Sequence, residues 1–325
     1  MSTHGKGSVK IAILLFQLGS PANLKDVRRF LYSMFSDPSI LPLPTPLRQV
    51  VACIITCVRT KTSQALYRHL GGVSPLLSTT EKQACALEKE LGDLGDVRCF
   101  VAMRYSHPSI TDAVKAAKRF NPDIILQLPL YPQYSTATTG SCLRITKKLF
   151  RKEKRVITID SYHDDPGFIA ALAETTRAIY DESKKFGRPR VLFSAHGLPQ
   201  RVIDRGDPYS DQCALTVAAL KKALNIPNLD SVLCYQSRLG PLKWTGPSTH
   251  NEINRAARSH KPIIVVPLSF VADNLETVVE MALEERQRAL ILGAPSFTCV
   301  PPVGISPAFI GGLAKRLRSE LKRKQ

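Results

Sequence analysis

A histidine follows one of the short apolar segments of this sequence, in a position where it could bind a metal ion or move a proton. His196 stands in the segment Ser-Ala-His-Gly-Leu-Pro, directly after the apolar run 191–193. Glycine and proline make the turn after it abrupt, so His196 is well placed to face a cleft. A neutral imidazole is a good ligand for divalent transition metals and a plausible proton acceptor. On this pattern alone a structural role for His196 stays open.

A glutamate follows a second apolar run, 263–266, in a comparable position. Asp273 is a natural N-cap for the helix that comes next, which puts Glu276 at the third helical position. One interpretation is a capping box, in which the Glu276 side chain bonds back to the N–H of the cap residue. The other is a functional carboxylate near the carboxyl end of a strand.

Three further loops combine aromatic and hydroxyl side chains with glycine or proline. Any one of them could be a structural loop, but three at predicted strand ends are more than turn formation requires. They cover residues 104–108, 130–141 and 236–247.

Short apolar runs alternate along the chain with segments of helical periodicity. The runs are 9–16, 97–102, 124–128, 156–159, 191–193, 232–234 and 263–266. The helical segments include 24–35, 80–91, 110–120, 168–184, 211–224, 252–260 and 275–290. Alternation of this kind predicts an α/β fold with buried parallel strands and helices on both sheet faces. Ligands of such folds bind at the carboxyl ends of the strands, where the loops above lie.

The number of predicted strands favours two similar Rossmann-like halves, each a mainly parallel sheet flanked by helices. The basic stretch 147–155 is a plausible boundary between them. We therefore expect an N-terminal α/β domain over residues 1–155 and a C-terminal α/β domain over 156–305. A basic helix over 306–325 is expected to pack back on the N-terminal domain. The sequence has no G-x-G-x-x-G after the first predicted strand and no G-x-x-x-x-G-K-[ST], so it gives no support for a nucleotide cofactor.

The net charge of +18 favours an anionic partner. The basic residues are spread along the chain without a recognisable nucleic-acid-binding motif, which argues against nucleic acid. The one dense cluster, 315–324, is interpreted as a solvated helix end or a contact with anionic lipid.

Eight scattered cysteines indicate reduced thiols of a cytosolic protein. We expect no export signal and no membrane-spanning segment.

Together, the motifs of this chain resemble the ferrochelatase family from Ile11 to about Leu317. The landmarks are Gln17-Leu18-Gly19-Ser20-Pro21, Arg28-Arg29-Phe30-Leu31, Ser36-Asp37-Pro38, Arg104-Tyr105 with His107-Pro108, Tyr131-Pro132-Gln133-Tyr134-Ser135, Thr138-Thr139-Gly140-Ser141, Ser194 to Pro199, Arg205-Gly206-Asp207-Pro208-Tyr209, Gln236-Ser237-Arg238, and Trp244 with Gly246-Pro247. The resemblance implies a lyase with a chelatase-like fold that inserts Fe2+ into protoporphyrin IX. Protoheme and two protons are then the products of this terminal step of heme biosynthesis.

The resemblance also assigns site residues. His196 and Glu276 match the paired histidine and glutamate that the family uses for iron binding and pyrrole deprotonation, so both are expected to be catalytic and to bind metal. Porphyrin contacts are expected from Leu18, Arg104, Tyr105, Tyr134, Ser135 and Trp244. Asp273 and Asn274 fall on the family's proton or metal path. The family commonly has histidine where this chain has Asn274, which cannot titrate.

Several alternatives stay open beside a protoporphyrin-specific ferrochelatase. They are a coproporphyrin-specific ferrochelatase, a non-catalytic heme or tetrapyrrole carrier, which Asn274 favours, and a basic nucleic-acid-binding protein, which rests on charge alone.

Iron is expected as a substrate, and no permanently bound cofactor is expected. No iron–sulfur cluster is expected, since the last cysteine is Cys299 and a basic helix follows it. The predicted location is the cytoplasm, with peripheral contact at the inner face of the membrane through the basic C-terminal helix.

Overall fold

Eight parallel strands form two four-stranded sheets in the computed structural model, which describes residues 8–151, 153, 155–238, 240 and 242–323. The strands are β1 Lys10–Gln17, β2 Asp96–Met103, β3 Ile124–Pro129, β4 Val156–Thr158, β5 Arg190–His196, β6 Ser231–Gln236, β7 Ile263–Pro267 and β8 Phe297–Cys299. The first sheet has the order β2-β1-β3-β4 and the second the order β6-β5-β7-β8. The two halves therefore repeat one strand order, which confirms the predicted pair of Rossmann-like units. Each predicted apolar run is a strand, and only the three-residue edge strand β8 is not predicted.

Helices connect and cover these strands. The α-helices are α1 Val27–Phe35, α2 Thr45–Arg68, α3 Leu76–Glu90, α4 Ile110–Arg119, α5 Thr139–Leu149, α6 Pro166–Ser183, α7 Gln200–Asp204, α8 Tyr209–Leu224, α9 Thr249–Arg258, α10 Arg286–Ile291 and α11 Pro307–Arg323. A π-helix, Glu276–Glu285, runs into α10, and short 3-10 turns occupy Leu24–Asp26, Gly92–Leu94 and Lys184–Phe186. Among the residues that the structure describes, no helix combines the length and apolar character needed to cross a bilayer.

The central strands are buried on both faces, which explains their nearly continuous apolar sequences. In β1, Ile13 and Leu15 join one core cluster, whereas Leu14 and Phe16 join another on the opposite face. The first cluster also contains Phe193 of β5. A single apolar layer thus joins the inner faces of both sheets and fixes the two halves against each other.

The first sheet extends past the predicted domain boundary. Val156 of β4 pairs with Ile125 of β3, so a boundary at residue 155 would divide that sheet. The basic stretch overlaps the end of α5 at residues 147–149, and β4 begins directly after it at Val156. Lys152 and Lys154 of that stretch lie outside the described residues, as does Lys324 of the basic tail.

The C-terminal helix α11 packs on α6 and α3, and it comes closest to α6 at two glycines. Asp165 caps α6 by accepting hydrogen bonds from the backbone N–H groups of Gly167 and Phe168. A Cβ on Gly312 would overlap the Asp165 carboxylate and lie 2.9 Å from the Cα of Gly167. Close contact of the two helices therefore depends on glycine at position 312.

Candidate functional site

The strand order of each sheet creates a crevice at the carboxyl ends of its central strands. In both halves the chain turns to opposite sides of the sheet from two neighbouring strands, β1 and β3 in the first and β5 and β7 in the second. Such a switch point is where open α/β sheets bind ligands. Most of the predicted site residues, including Leu18, His196 and Glu276, lie at or shortly after the carboxyl ends of these four strands.

His196 is the last residue of β5 and its side chain is partly exposed. Its Nδ1 lies 2.8 Å from the carbonyl oxygen of Gly197. A carbonyl oxygen can only accept, so Nδ1 carries the proton and Nε2 keeps its lone pair. Burial lowers the pKa of His196, against the opposing effects of the Gly197 bond and the negative charge of Glu280. The ring is thereby held neutral with one nitrogen free to bind a metal.

Trp244 lies directly beside the His196 loop. The backbone N–H of Leu198 donates to Thr245 Oγ1 at 3.1 Å, and the N–H of Thr245 donates back to the carbonyl of Leu198 at 2.9 Å. A Cβ on Gly197 would lie 2.7 Å from the carbonyl oxygen of Gln236 and 3.4 Å from Cε3 of Trp244. Glycine at 197 is thus required by the Gln236 carbonyl, while Trp244 stands at ordinary contact distance. Leu239 and Pro241 of the same loop lie outside the described residues.

The helix that carries Glu276 begins differently from the prediction. The side-chain oxygen of Asn274 accepts from the N–H of Thr277 at 2.9 Å, and Thr277 Oγ1 accepts from the N–H of Asn274 at 3.1 Å. These two bonds form the reciprocal cap, so the prediction of Asp273 as the N-cap and of Glu276 as its capping-box partner is wrong. Asp273 instead accepts from Thr277 Oγ1 at 3.0 Å. Glu276 is therefore left free of capping.

Glu276 opens a row of three carboxylates on the π-helix, with Glu280 and Glu284 following at intervals of four residues. Burial raises the pKa of Glu276. Burial and the charge of Glu276 raise the pKa of Glu280 to about 7, while the nearby His196 acts in the opposite direction. The charge of Glu280 thus interacts with both His196 and Glu276, and Glu280 can exchange a proton near neutral pH. Sequence reasoning missed Glu280, although the regular spacing of the three glutamates was a usable signal.

The outer part of this row lines a cavity of about 420 Å³. Its walls include Ser237, Arg238, His250 and the carboxylates of Glu280, Glu284 and Glu285. His250 Nδ1 lies 2.6 Å from Glu285 Oε1, and Glu284 is exposed. The carboxylate row therefore connects the neighbourhood of His196 with a polar, acidic cavity.

An apolar cluster from the N-terminal half faces the same region. It includes Tyr67 and Tyr105, with Leu18 and Leu275 packed against it. Burial and the charges of Glu276 and Glu280 raise the pKa of Tyr67, which places its hydroxyl near both carboxylates. Tyr67 comes from α2, a helix that the periodicity does not predict. Leu275 directly precedes Glu276, so the cluster ties the carboxylate row to the apolar wall.

Arg104 is held in a buried polar network. Its guanidinium donates to Asp37 Oδ2 and, at 2.7 Å, to Ser141 Oγ, and it lies 4.7 Å from the centre of the Tyr105 ring. The Tyr105 hydroxyl donates to the same Asp37 oxygen at 2.8 Å. Burial works against ionisation of Asp37, but hydrogen bonds from Ser39 and Ser141 and the charge of Arg104 hold its pKa below the usual value. The network fixes the Tyr105 ring at the cleft wall.

Tyr134 and Ser135 lie at the junction of the two halves. Ser135 Oγ donates to Asp207 Oδ2 at 3.0 Å, and the N–H of Tyr134 donates to Gln212 Oε1 at 2.7 Å. Ser135 is 1% exposed, so its hydroxyl serves this junction in the present conformation. A porphyrin contact by either residue stays a prediction.

Known proteins resemble this chain over nearly its whole length. The family model named Ferrochelatase matches residues 10–321. A ferrochelatase of Caulobacter vibrioides is 42% identical over 315 residues, covering 96% of this chain and 90% of the relative. A ferrochelatase of Rickettsia felis is 42% identical over 311 residues, covering 95% and 89%. A ferrochelatase of a Wolbachia strain is 40% identical over 311 residues, covering 94% and 98%.

Solved structures agree on the architecture. SirB from Bacillus subtilis, determined with Fe3+, superimposes with a TM-score of 0.54 at 13% sequence identity, and the match covers 96% of both chains. At that identity the likeness concerns the fold alone. The family model and the relatives cover nearly the whole chain. The chain therefore belongs to the ferrochelatase family.

Proposed function

We propose that this protein inserts ferrous iron into protoporphyrin IX, releasing protoheme and two protons. The observation that carries the proposal is the pairing of a neutral, partly exposed His196 with a buried carboxylate row, next to an apolar wall. Metallation of a porphyrin needs a ligand that takes iron from water, acceptors for two pyrrole protons, and a surface for a flat ring. This site offers groups of all three kinds.

Iron is a substrate in this proposal, and His196 and Glu276 are its ligands on the protein. Nε2 of His196 supplies a nitrogen ligand, and the Glu276 carboxylate supplies oxygen and negative charge. The ring nitrogens then take the metal from these two residues. A site with few protein ligands suits transfer, because the metal has to leave it.

The carboxylate row gives the two protons a route away from the ring. Glu280, with its pKa at about 7, is poised to accept a proton and to pass it on at neutral pH. Glu284 lies at the outer end of the row, beside the acidic cavity. The same carboxylates attract a divalent cation, so we propose that metal enters and protons leave along this helix. The predicted path through Asp273 and Asn274 is replaced by Glu280 in this account.

The macrocycle is proposed to lie between the apolar wall and the His196 loop. Leu18 and Tyr105 contribute the wall, and Trp244 flanks the loop on the other side. Ring distortion costing about 1–5 kcal/mol lies within what binding contacts away from the reacting centre can supply. Because the Arg104 side chain is bonded to Asp37 and only 18% exposed, its part in the proposal is to hold Tyr105.

The test follows the Soret band of protoporphyrin under anaerobic conditions, with ferrous iron or Zn2+ as the metal. Wild type is expected to shift the band to that of the metalloporphyrin, and His196→Ala is expected to bind porphyrin without this shift. His260→Ala is a matched control, since His260 also bonds a carbonyl oxygen through Nδ1, at 2.9 Å from Gly293, and is exposed. Porphyrin binding without metal insertion by wild type would instead support the carrier alternative. The ratio of kcat/KM for protoporphyrin and coproporphyrin decides between those two substrates.

We further propose that the protein holds no permanent cofactor and no iron–sulfur cluster. Purified protein is then expected to contain no stoichiometric acid-labile sulfide. Sulfide at two or more equivalents per chain, with visible absorption bleached by dithionite, would refute this.

A cytoplasmic location with peripheral contact to an anionic membrane is also proposed. Helix α11 buries its apolar residues, among them Phe309 and Leu317, so Lys315 and Lys322 on its outside are what it offers to lipid headgroups. Helix α2 provides a second surface. It exposes Leu47, Val50, Ile54 and Val58, and the chain has no acidic residue from 38 to 80.

Sedimentation with vesicles of phosphatidylglycerol or of phosphatidylcholine tests this contact. Binding to the anionic vesicles alone is expected. Loss of binding in Lys315→Gln/Lys322→Gln supports α11, whereas loss only in Ile54→Gln/Val58→Gln moves the contact to α2. Equal binding to both lipids, or to neither, would contradict an electrostatic membrane contact.

A further inference from the structure

The position where the family commonly has histidine performs a different task in this chain. Asn274 and Thr277 exchange hydrogen bonds between side chain and backbone at 2.9 and 3.1 Å. Both residues are buried, with 8% and 3% exposure. Buried hydrogen bonds of this kind have no competition from water, so breaking one leaves a polar group unsatisfied.

Asp273 completes the arrangement. The Thr277 hydroxyl accepts from the Asn274 N–H, so its single proton is available for Asp273 Oδ1 at 3.0 Å. The three residues thereby close the first turn of the π-helix from two sides. Asn274 is engaged through its side-chain oxygen, as a helix cap.

Glu276 lies inside this closed turn, between Leu275 and Thr277. Leu275 packs against the cluster that contains Tyr67 and Tyr105, and Thr277 is fixed by the cap. The backbone on either side of Glu276 is therefore anchored, by apolar packing on one side and by the cap on the other. A side chain on backbone anchored in this way is held in one orientation by its surroundings.

Building on the proposed function, we propose that Asn274 is a positioning residue for Glu276. It fixes the carboxylate at the metal site by capping the π-helix, and it neither binds metal nor carries a proton. The chain thus meets the geometric requirement at this position with an amide oxygen, and the acid–base work falls to His196, Glu276 and Glu280.

The test compares Asn274→Ala with Asn274→Ser, because the two differ by one hydroxyl and serine is a good N-cap. Steady-state insertion of Zn2+ into protoporphyrin is measured with each. Asn274→Ala is expected to raise the KM for Zn2+ about tenfold, which corresponds to the usual free-energy cost of losing an N-cap side chain. The KM for porphyrin is expected to stay unchanged. Asn274→Ser is expected to restore the KM for Zn2+ to within about twofold of wild type.

A second pair protects the test against loss of folding. Thr277→Val removes the hydroxyl that Asn274 and Asp273 use, and Thr277→Ser keeps it. The valine variant is expected to reproduce the effect of Asn274→Ala, and the serine variant to resemble wild type. Thermal unfolding of all four variants, at the working temperature and above, shows which of them are folded.

Three outcomes decide the proposal. Equal loss in Asn274→Ala and Asn274→Ser would show that the amide itself contacts substrate, which overturns it. An unchanged KM for Zn2+ in both Asn274→Ala and Thr277→Val would show that the cap does not position Glu276. Failure of wild type to insert metal would refute the proposed function, and is distinguishable because it precedes any comparison of variants.

Discussion

His196 donates a hydrogen bond from Nδ1 to the carbonyl oxygen of Gly197, the next residue in the chain, at 2.8 Å. Because this bond joins neighbouring residues, the orientation of the imidazole depends on the position of a single peptide group. Whatever moves the Gly197 carbonyl also turns the ring and Nε2, the nitrogen proposed to bind metal. The local backbone at position 197 is therefore as important for the site as the histidine itself.

Gly197→Ala is expected to lower kcat about 10- to 100-fold, because misplacement of a reacting group by about 1 Å has effects of that order. The new Cβ would lie 2.7 Å from the carbonyl oxygen of Gln236, so the loop has to shift and carry Trp244 with it. Gly92→Ala is the control, since its Cβ would meet no atom within 4 Å. Zinc insertion kinetics measure both, and unchanged kcat in Gly197→Ala would contradict the argument.

Glu280→Gln is expected to stabilise the protein at about pH 8.5 and to change it little at about pH 4. The pKa of Glu280 is raised to about 7 in the fold, so its neutral form is favoured there. Wild type therefore loses stability as pH rises from the ordinary pKa of 4.5 to about 7, the range in which this carboxyl ionises in the unfolded chain but not in the fold. Glutamine cannot ionise and avoids this loss.

Thermal unfolding of wild type and Glu280→Gln at both pH values, at constant ionic strength, checks this prediction. Glu182→Gln is a suitable control because the Glu182 side chain is 73% exposed. A difference between wild type and Glu280→Gln that is the same at both pH values would count against a titrating carboxyl.

Gly312→Ala is expected to destabilise the protein by about 1–3 kcal/mol, the usual range for overpacking. Its Cβ would overlap the Asp165 carboxylate that caps α6 and press on the Cα of Gly167 at 2.9 Å. The neighbouring Gly311→Ala is a sharp control, because a Cβ there meets nothing within 4 Å. It is expected to be neutral or stabilising by about 0.5–1 kcal/mol, since alanine favours the helix. Urea denaturation measures the free energy of unfolding of both variants. Equal effects in the two would show that the close contact is not the cause.

Asp37→Asn is expected to lower stability by about 3 kcal/mol, because removing one partner leaves the charge of Arg104 unpaired and buried. The Asp37 side chain is 1% exposed. Its pKa is held below the usual value, so the carboxylate contributes stability that is lost as pH falls through that lowered pKa. The destabilisation by Asp37→Asn should therefore be present at neutral pH and shrink in strong acid.

Asp93→Asn provides the comparison, because Asp93 pairs with Arg318 at the surface. Its effect on unfolding is expected to be much smaller, as is usual for exposed ion pairs. A comparable loss of stability in both variants would mean that burial of the Asp37 network adds nothing to the free energy of unfolding.

The strands and the position of His196 could be predicted because buried parallel strands have nearly continuous apolar sequences. The long helix α2 could not, since Leu47 and Ile54 are exposed while Thr56 and Ser63 are buried, the reverse of a usual amphipathic pattern. Tyr67 was missed for the same reason. The position of the site in the fold was thus readable from sequence, whereas one of its walls was not.

The start of the π-helix shows a second limit. Asp273 and Asn274 are both good N-cap residues, and sequence alone gives no preference between two adjacent caps. Packing of Leu275 against Tyr105 and its neighbours decides the register, and that is a contact between distant parts of the chain. The π-helical winding of Glu276–Glu285 has no local sequence signal that we can identify.

The repeated strand order places Leu18 after β1 and His196 at the end of β5, which are equivalent places in the two sheets. One copy of the scaffold presents an apolar side chain at this place, and the other presents the proposed metal ligand. In the proposed function, the apolar wall around Leu18 and the groups that handle the metal therefore lie in different halves. Changes in Leu18 or the α2 wall would then alter the accepted macrocycle during evolution while the metal chemistry of the other half is retained.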